Sequence, residues 1–322
     1  VLSRTLSCHD ASSRRVASRT RLTLPRTVCL YSRAFDLILS AAAVNVCNDP
    51  KLNMSLPPLL NPTLFDHSEV AMWIRTSYSP ALWTITCLYL IGVFGGRRLM
   101  EGRKPFQLDG PLALWNLVLA LYSFCTVAAL WTDFWRSVAK GVTHSWCRAD
   151  SYFSGSTGYW AFLFVLSKAV ELGDTAFLVL RRRPVLFLHW FHHVLTPLVT
   201  QHSYQAANSW FRWSSFLNLL VHAVMYSYFF ARAVGKRTPK WLSMTITALQ
   251  LLQFVIMTGC LSFLTYAAAF RPEWACETPL EDALLGVVMY LAYLALFCKF
   301  FYHAYLVERP KKASESDMNK KE

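Results

Sequence analysis

Four long stretches of this sequence contain no Asp, Glu, Lys or Arg: residues 76–96, 110–132, 184–211 and 241–270. They are rich in Leu, Phe, Val and Trp, and each is about 20 residues long or longer, which is enough to cross a bilayer as a helix. Hydrophobic residues make up 54% of the chain and charged residues only 16%, whereas about a quarter of an ordinary soluble domain is charged. The sequence therefore predicts an all-α integral membrane protein.

The apolar blocks predict seven transmembrane helices, at residues 79–96, 110–134, 157–180, 184–202, 210–234, 241–269 and 282–306. The links 97–104, 181–183 and 235–240 are basic, whereas 203–209 carries no charge and 270–281 has one Arg against three Glu. The positive-inside rule then places the basic links and the C-terminus in the cytosol, and the residues before the first helix in the lumen.

The two ends of the chain differ from the apolar region between them. Residues 1–53 are rich in Arg and Ser, and the first Met is Met54. We expect a disordered or non-native extension there, with a transit peptide as the alternative. Residues 54–309 form the predicted helical domain, and residues 310–322 a polar cytosolic tail. The net charge of +13 lies in short clusters between apolar blocks, which favours basic cytosolic loops and argues against nucleic-acid binding.

The nine cysteines include no CxxC pair. Several of them, such as Cys260, lie inside apolar blocks, where a free thiol acts as a small hydrophobic group. Cys147 and Cys276 lie instead in predicted links. These two could form a disulfide if both links face an oxidising lumen, and the sequence alone does not decide whether they pair.

Ionisable side chains inside the third block are the first candidates for function, because they are costly in a membrane. Lys168, Glu171, Asp174 and Thr175 are spaced so that one continuous helix would place them on one face. They could form a buried network that holds helices together or the wall of a polar cavity, and the two interpretations are compatible.

Further polar residues follow in the next three blocks. The fourth holds three histidines within five positions, the fifth a stripe with a spacing of four, and the sixth a stripe with a spacing of three. These residues are His189, His192 and His193, then Asn218, His222, Tyr226 and the nearby Tyr228, then Thr247, Gln250 and Gln253. The stripe in the sixth block could also serve helix contacts alone. Together they predict a water-accessible or ligand-filled cavity, partly in the cytosolic half of the bundle.

Two chemistries are open to the histidine cluster. The HxxHH pattern resembles one box of the membrane di-iron enzymes, but a second box is missing, so at most one metal held by His189, His193 and a carboxylate remains. Alternatively, imidazole transfers protons or attacks an acyl thioester. A metal-dependent lipid oxidoreductase and a transporter with a polar interior are the rival functions, although no inverted repeat of the transporter kind is visible.

Taken in order, the motifs resemble those of the ELO-type very-long-chain fatty-acid elongases. They read Lys168-x-x-Glu171-x-x-Asp174-Thr175, His189-x-x-His192-His193, Asn218-x-x-x-His222-x-x-Met225-Tyr226-x-Tyr228 and Thr247-x-x-Gln250-x-x-Gln253. The resemblance spans residues 65–308. It implies a multi-pass enzyme of the endoplasmic reticulum membrane, with six of seven helices forming an inverted barrel around an acyl tunnel. Trp190, after the first histidine, is typical of the branch that acts on saturated and monounsaturated chains. This chain departs from that branch where Ala206-Ala207-Asn208-Ser209 stands in place of the usual glycine run.

The implied reaction is that of a 3-ketoacyl-CoA synthase, which condenses a long-chain acyl-CoA with malonyl-CoA and releases carbon dioxide and coenzyme A. No metal or redox cofactor is implied. The expected partners are the two thioesters and the lipid bilayer, together with other enzymes of the elongation cycle or a second copy of the chain. We predict that His192 is the nucleophile and His222 its partner, supported by His189, His193 and Asn218. The predicted substrate-binding residues are Lys168, Arg181, Glu171, Asp174, Tyr226, Tyr228, Gln250 and Gln253.

Overall fold

The structure is a computed structural model that describes residues 65–274 and 276–307. Every long regular element in these two ranges is a helix, and the predicted extension 1–53 and tail 310–322 lie outside them. In chain order the α-helices are α1 (His67–Trp73), α2 (Ser79–Leu99), α3 (Asp109–Ala139), α4 (Val142–Cys147), α5 (Gly155–Val170), α6 (Gly173–Leu180), α7 (Phe187–Gln205), α8 (Phe211–Ala233), α9 (Lys240–Phe270) and α10 (Leu280–Phe301). Short π-helical segments, Ile74–Tyr78 and Tyr302–Leu306, join α1 to α2 and extend α10.

Five helical segments of the described chain are long and apolar enough to cross a membrane. They are His67–Leu99, Asp109–Ala139, Phe211–Ala233, Lys240–Phe270 and Leu280–Leu306. Large apolar side chains such as Leu88, Ile91 and Phe94 are exposed on these segments, as expected where a helix faces lipid tails. The predicted class, an all-α integral membrane protein, is confirmed.

The third and fourth predicted blocks differ from the single spanning helices that the sequence predicted. The third block is interrupted at Glu171 and Leu172 and forms two helices, α5 and α6. Each of these is shorter than the roughly 20 residues of a spanning helix. The fourth, α7, begins at Phe187 rather than at residue 184, because Leu186 before it is extended. Its histidines and glutamines lower its hydropathy. The count of seven crossings therefore stays a prediction.

Helices α3 and α8 pack along each other, as do α9 and α10. Near one end of the first pair, Arg212 Nε donates to Asp133 Oδ2 at 2.8 Å, and the same guanidinium donates to the carbonyls of Arg148 and Ala149. A buried charge is tolerated when its partners satisfy it in this way. The rings of Phe134 and Phe216 stack beside the ion pair at a centroid distance of 4.0 Å.

A disulfide joins Cys147, at the end of α4, to Cys276, before α10. The sequence left open whether these two cysteines pair, and the structure joins them. The backbone supports it, since the Glu277 N–H donates to the Cys147 carbonyl at 2.8 Å and the Glu277 carboxylate accepts from the Ala149 N–H at 2.7 Å. The two links therefore form one structure at this end of the bundle.

Candidate active site

A cavity of about 680 Å³ lies between α3 and helices α6–α10. This volume is within the range of sites that hold small molecules and cofactors. Every predicted catalytic or substrate-binding residue lines the cavity except Lys168, which lies behind its wall, and Thr175, the other polar candidate of the third block, does not line it either. The predicted site residues that line the cavity are Glu171, Asp174, Arg181, His189, His192, His193, Asn218, His222, Tyr226, Tyr228, Gln250 and Gln253.

The histidine cluster occupies the first two turns of α7. His189 and His193 are one turn apart on the helix, as predicted, and their rings lie 4.3 Å apart. The ring of His192 lies 5.5 Å from that of His193 and 5.0 Å from that of Tyr293 on α10. The ring of His192 thus faces α10, whereas the ring of His189 faces Thr175 on α6.

His192 also borders a second, small cavity of about 20 Å³. Its wall is largely apolar and aromatic, with Phe164, Phe211 and Met289 among the lining residues. Tyr293 closes part of it and shares a hydrogen bond of 2.8 Å with Thr196. His192 therefore stands between the large cavity, whose wall includes charged and polar side chains, and the small apolar one.

A buried ion pair forms the wall behind the histidines. Lys168 Nζ donates to Glu171 Oε1 at 2.6 Å, and the two side chains are 1% and 6% exposed. The ammonium also lies 4.5 Å from the centre of the Phe164 ring, a cation–π contact. Because Glu171 lines the cavity and Lys168 does not, only the carboxylate of the pair is presented to a ligand.

Asn218 connects this ion pair to His222. Lys168 Nζ donates to Asn218 Oδ1 at 2.8 Å, and an ammonium has no acceptor atom. The other end of the amide, Nδ2, therefore faces His222 Nε2 at 3.3 Å and donates to it. A neutral His222 must then carry its proton on Nδ1. That nitrogen is 3.6 Å from Glu171 Oε1, too far for a hydrogen bond, and it has no other hydrogen-bond partner among the described residues.

Asp174 has partners on two other helices. Trp115 Nε1 on α3 donates to Asp174 Oδ1 at 2.6 Å, and the Tyr226 hydroxyl on α8 donates to Asp174 Oδ2 at 2.8 Å. The indole approaches so closely because Gly173 has no side chain. A Cβ there would lie 2.7 Å from the Trp115 ring.

Thr175 turns toward α7 and α2. Its hydroxyl lies 2.9 Å from His189 Nε2 and 2.9 Å from the Tyr89 hydroxyl. The four residues that an unbroken helix would have placed on one face therefore divide among three sets of partners. Lys168 and Glu171 meet Asn218, Asp174 meets Trp115 and Tyr226, and Thr175 meets His189. The interruption between α5 and α6 allows this.

Charged side chains surround the exposed end of the large cavity. Arg181, directly after α6, forms an ion pair with Asp109 at the start of α3. Arg183 and Arg232 line the same end. Three guanidinium groups against one exposed carboxylate make this end of the cavity attractive to anions.

The two predicted glutamines of α9 make few polar contacts. Gln250 donates to the thioether of Met225 at 3.4 Å, and Gln253 is buried between the two cavities. In the part of the chain that the structure describes, no group of three or more His, Cys, Asp and Glu side chains is placed to hold a metal ion. The expected independence from metals stays a prediction.

The sequence did not indicate Trp115, Tyr89 or Asp109. Trp115 and Tyr89 are aromatic residues among many in apolar blocks, and nothing in their spacing marks them. Asp109 precedes an apolar block at a position where an acid usually serves the helix N-terminus. For Trp115 a neighbouring signal existed, since Gly173 interrupts a helical pattern immediately before Asp174.

These features define a class: an integral membrane protein whose helices enclose a histidine-lined cavity with a cationic mouth. The sequence pattern of the ELO (GNS1/SUR4) family matches residues 73–313, which is most of the chain. The chain belongs to this family, and the prediction made from the four ordered motifs is confirmed.

Relatives with assigned names agree with this membership. The chain is 39% identical to long chain fatty acid elongase 2 of Caenorhabditis elegans over 262 residues, covering 80% of this chain and 94% of that protein. It is 36% identical to very long chain fatty acid elongase 6 of Gallus gallus over 249 residues, covering 77% and 92%. Against the Homo sapiens protein of that name it is 37% identical over 246 residues, covering 75% and 90%.

Proposed function

We propose that the protein is a fatty-acid elongase that condenses a long-chain acyl-CoA with malonyl-CoA. The products are a 3-oxoacyl-CoA, carbon dioxide and coenzyme A, so the protein acts as a 3-oxoacyl-CoA synthase at the first step of an elongation cycle. Family membership and the names of the relatives support this proposal. The observation that carries it is the position of His192, which borders both the cavity with the cationic mouth and the small apolar cavity.

The substrate fits this arrangement by its chemistry. The phosphates of coenzyme A lie at Arg181, Arg183 and Arg232, the thioester lies at the histidines, and the acyl tail extends toward the small cavity. At about 20 Å³ that cavity is too small for a long chain. The surrounding aromatic side chains must therefore move when the tail enters.

His192 begins the reaction. One ring nitrogen attacks the thioester carbonyl, a C–N bond forms, the C–S bond breaks, and the imidazole proton leaves with coenzyme A as its thiol. Malonyl-CoA then loses carbon dioxide, and the carbon of the resulting enolate attacks the acyl-imidazole. The C–N bond breaks, and the imidazole regains a proton from solvent.

His222 assists by hydrogen bonding. Because Asn218 donates to Nε2 of this ring, the proton lies on Nδ1, which has no hydrogen-bond partner among the described residues. This Nδ1–H donates to the oxygen on which negative charge develops. Preorganised donors of this kind are usually a large part of catalysis. Lys168, which does not reach the cavity, acts through Asn218 by holding the amide in the orientation that keeps the His222 proton on Nδ1.

The charge of the links and the disulfide support a proposed membrane orientation. The basic links 97–104, 181–183 and 235–240 lie on the cytosolic side, where coenzyme A thioesters are available. The Cys147–Cys276 disulfide lies on the opposite side and requires an oxidising compartment. We propose the endoplasmic reticulum membrane, with the N-terminus in the lumen and the C-terminus in the cytosol.

The substrate range and further partners are part of the same proposal. Trp190 after His189 favours saturated and monounsaturated acyl chains. No metal or redox cofactor takes part in the condensation. Other enzymes of the elongation cycle accept the 3-oxoacyl product, and a second copy of the chain is a further expected partner.

The experiment uses the purified protein in detergent. With palmitoyl-CoA alone it should release roughly one equivalent of coenzyme A and gain the acyl mass on one residue. His192→Ala should abolish both signals. His144→Ala, which alters a histidine paired with Asp150 outside the cavity, should leave both unchanged.

Adding malonyl-CoA should then yield the 3-oxoacyl-CoA, with parallel double-reciprocal lines for the two thioesters. If no condensation product forms, the proposed function is wrong. If product forms but coenzyme A appears only after malonyl-CoA is added, and the lines intersect, His192 is a base or an orienting residue in a ternary complex.

A further inference from the structure

Tyr89 lies on α2, outside every motif of the site, yet it reaches the histidine cluster. Its hydroxyl lies 2.9 Å from Thr175 Oγ1, which lies 2.9 Å from His189 Nε2. This continuous chain links the first long helix to a cavity-lining histidine.

Packing holds Tyr89 in this position. The buried side chains of Val93, Val179 and Val185 form a cluster against which Tyr89 packs. Gly96, two turns further along α2, approaches α6 so closely that a Cβ there would lie 3.1 Å from Val179. Helix α2 therefore rests on α6, the helix that carries Thr175.

The direction of the hydrogen bonds follows from the number of protons. Many helical Ser and Thr hydroxyls in this protein, such as that of Thr126, donate to a backbone carbonyl one turn earlier. Within residues 65–274 and 276–307, Thr175 makes no such bond, so its single proton goes to Tyr89 or to His189. If it went to Tyr89, the tyrosine proton would have no acceptor among the described residues, which is costly for a part-buried hydroxyl.

The satisfied arrangement has Tyr89 donating to Thr175 and Thr175 donating to His189. His189 Nε2 is then an acceptor, and a neutral His189 carries its proton on Nδ1. The tyrosine O–H fixes the rotamer of Thr175 by occupying one lone pair of its oxygen. Without the tyrosine, the Thr175 hydroxyl could turn its proton to a backbone carbonyl one turn earlier, as Thr126 does, and accept from Nε2–H, so that both tautomers would become available.

We propose that Tyr89 is a positioning residue of the condensation site, which acts through Thr175 to hold His189 in the Nδ1–H tautomer. The proposal rests on the proposed function, because it assigns the tyrosine a part in that reaction. It extends the site to α2, a helix that does not line the cavity.

The kinetic test is a double-mutant cycle with Tyr89→Phe and Thr175→Val. Tyr89→Phe should lower kcat about tenfold, near the lower end of what losing an orienting hydrogen bond usually costs, while KM for both thioesters stays within about twofold. Once Thr175→Val has removed the link, adding Tyr89→Phe should cause no further loss. Thr175→Ser, which keeps the hydroxyl, should retain most of the activity.

Tyr78→Phe is the matched control, because it removes another tyrosine hydroxyl near the start of the same helix, at 3.4 Å from the Val165 carbonyl. It should leave kcat unchanged. Thermal unfolding of all variants separates this positioning role from loss of fold. An unchanged kcat in Tyr89→Phe, or losses that multiply in the double variant, would overturn the proposal.

A spectroscopic readout tests the tautomer independently of activity. Solid-state ¹⁵N spectra of histidine-labelled protein, with the His189 signals assigned from His189→Gln, should show the Nδ1–H form in the wild type. Tyr89→Phe should add the other form. A wild type with Nε2–H at His189 would refute the inference even if condensation is observed, whereas absent condensation with the expected spectra would refute only the proposed function.

Discussion

Lys168 Nζ lies 2.8 Å from Asn218 Oδ1, and this contact decides which end of the amide faces His222. The lysine therefore influences a cavity-lining imidazole without touching the cavity. It also neutralises Glu171. The electrostatic role of Lys168 depends on Glu171 and its orienting role depends on Asn218, so substitutions can separate the two roles.

Lys168→Met should destabilise the protein by about 3–5 kcal/mol, since it leaves the Glu171 carboxylate buried and unpaired. Removing both charges in Lys168→Met/Glu171→Gln should restore most of that stability but not the activity, because nothing then holds the Asn218 amide. Thermal unfolding and kcat measured on the same samples distinguish the two effects. Lys140→Met, at an exposed pair with Asp150, is the control. Full activity in the double variant would show that Lys168 matters for folding alone.

Gly173→Ala should cost about 1–3 kcal/mol and lower kcat, because the new methyl group would collide with the Trp115 ring and displace its hydrogen bond to Asp174. Gly95→Ala is the matched control, since a Cβ there meets nothing within 4 Å. It should be neutral or raise stability by up to about 1 kcal/mol through helix propensity. Equal behaviour of the two variants in unfolding and kinetics would contradict the close contact.

Much of the fold could be predicted from the sequence, because apolar length and loop charge depend on local composition. The blocks around residues 110–134 and 241–269 correspond to α3 and α9 within a few residues. The histidine spacing predicted the pairing of His189 with His193 for the same reason, since a helix places i and i+4 together. The position of two cysteines in links indicated which pair could form a disulfide, but not that it forms.

Contacts between helices could not be predicted from the sequence. The spacing of Lys168, Glu171, Asp174 and Thr175 assumed an unbroken helix, and the interruption before Gly173 gives these residues different partners. Trp115 and Tyr89 enter the site through packing between helices, which no local pattern encodes. The roles proposed for the cavity residues remain predictions.

Ala207→Gly should stabilise the protein by about 0.5–1 kcal/mol. Ala207 has a φ of +51°, a left-handed conformation in which a side chain is strained and glycine is not. Ala206→Gly, at a φ of −77°, should bring no gain, since no strain is relieved there. The midpoint of thermal unfolding compares the two. A lower midpoint for Ala207→Gly than for the wild type would refute the strain.

The proposed orientation predicts where glycans attach. An acceptor sequence inserted at position 275 should be glycosylated in microsomes, because the link 270–281 faces the lumen. One inserted at position 315 should remain unmodified, because the tail faces the cytosol. A shift in gel mobility that is reversed by a glycosidase reports each outcome. The opposite pattern would invert the protein and place the arginines of the cavity mouth in the lumen.

Condensation should be independent of metal ions. Acyl transfer through imidazole needs no metal, and a single HxxHH box provides too few ligands for a di-iron centre. Treatment with EDTA or phenanthroline should leave the rate of 3-oxoacyl-CoA formation within about twofold of the untreated value. Stoichiometric iron or zinc that is lost together with activity would favour the metal-dependent oxidoreductase instead.

The bond between Cys147 and Cys276 spans 129 positions of the sequence and so turns α5–α9 into a covalent ring. All the histidines of the cavity lie inside the ring, whereas Asp109 and the contribution of α10 lie outside it. On a chain-entropy estimate, closing a loop of this length raises the free energy of the unfolded chain by about 4–5 kcal/mol. A chain cut once in the link 235–240 would remain one covalent molecule, with both parts of the cavity wall still tethered, until the disulfide was reduced.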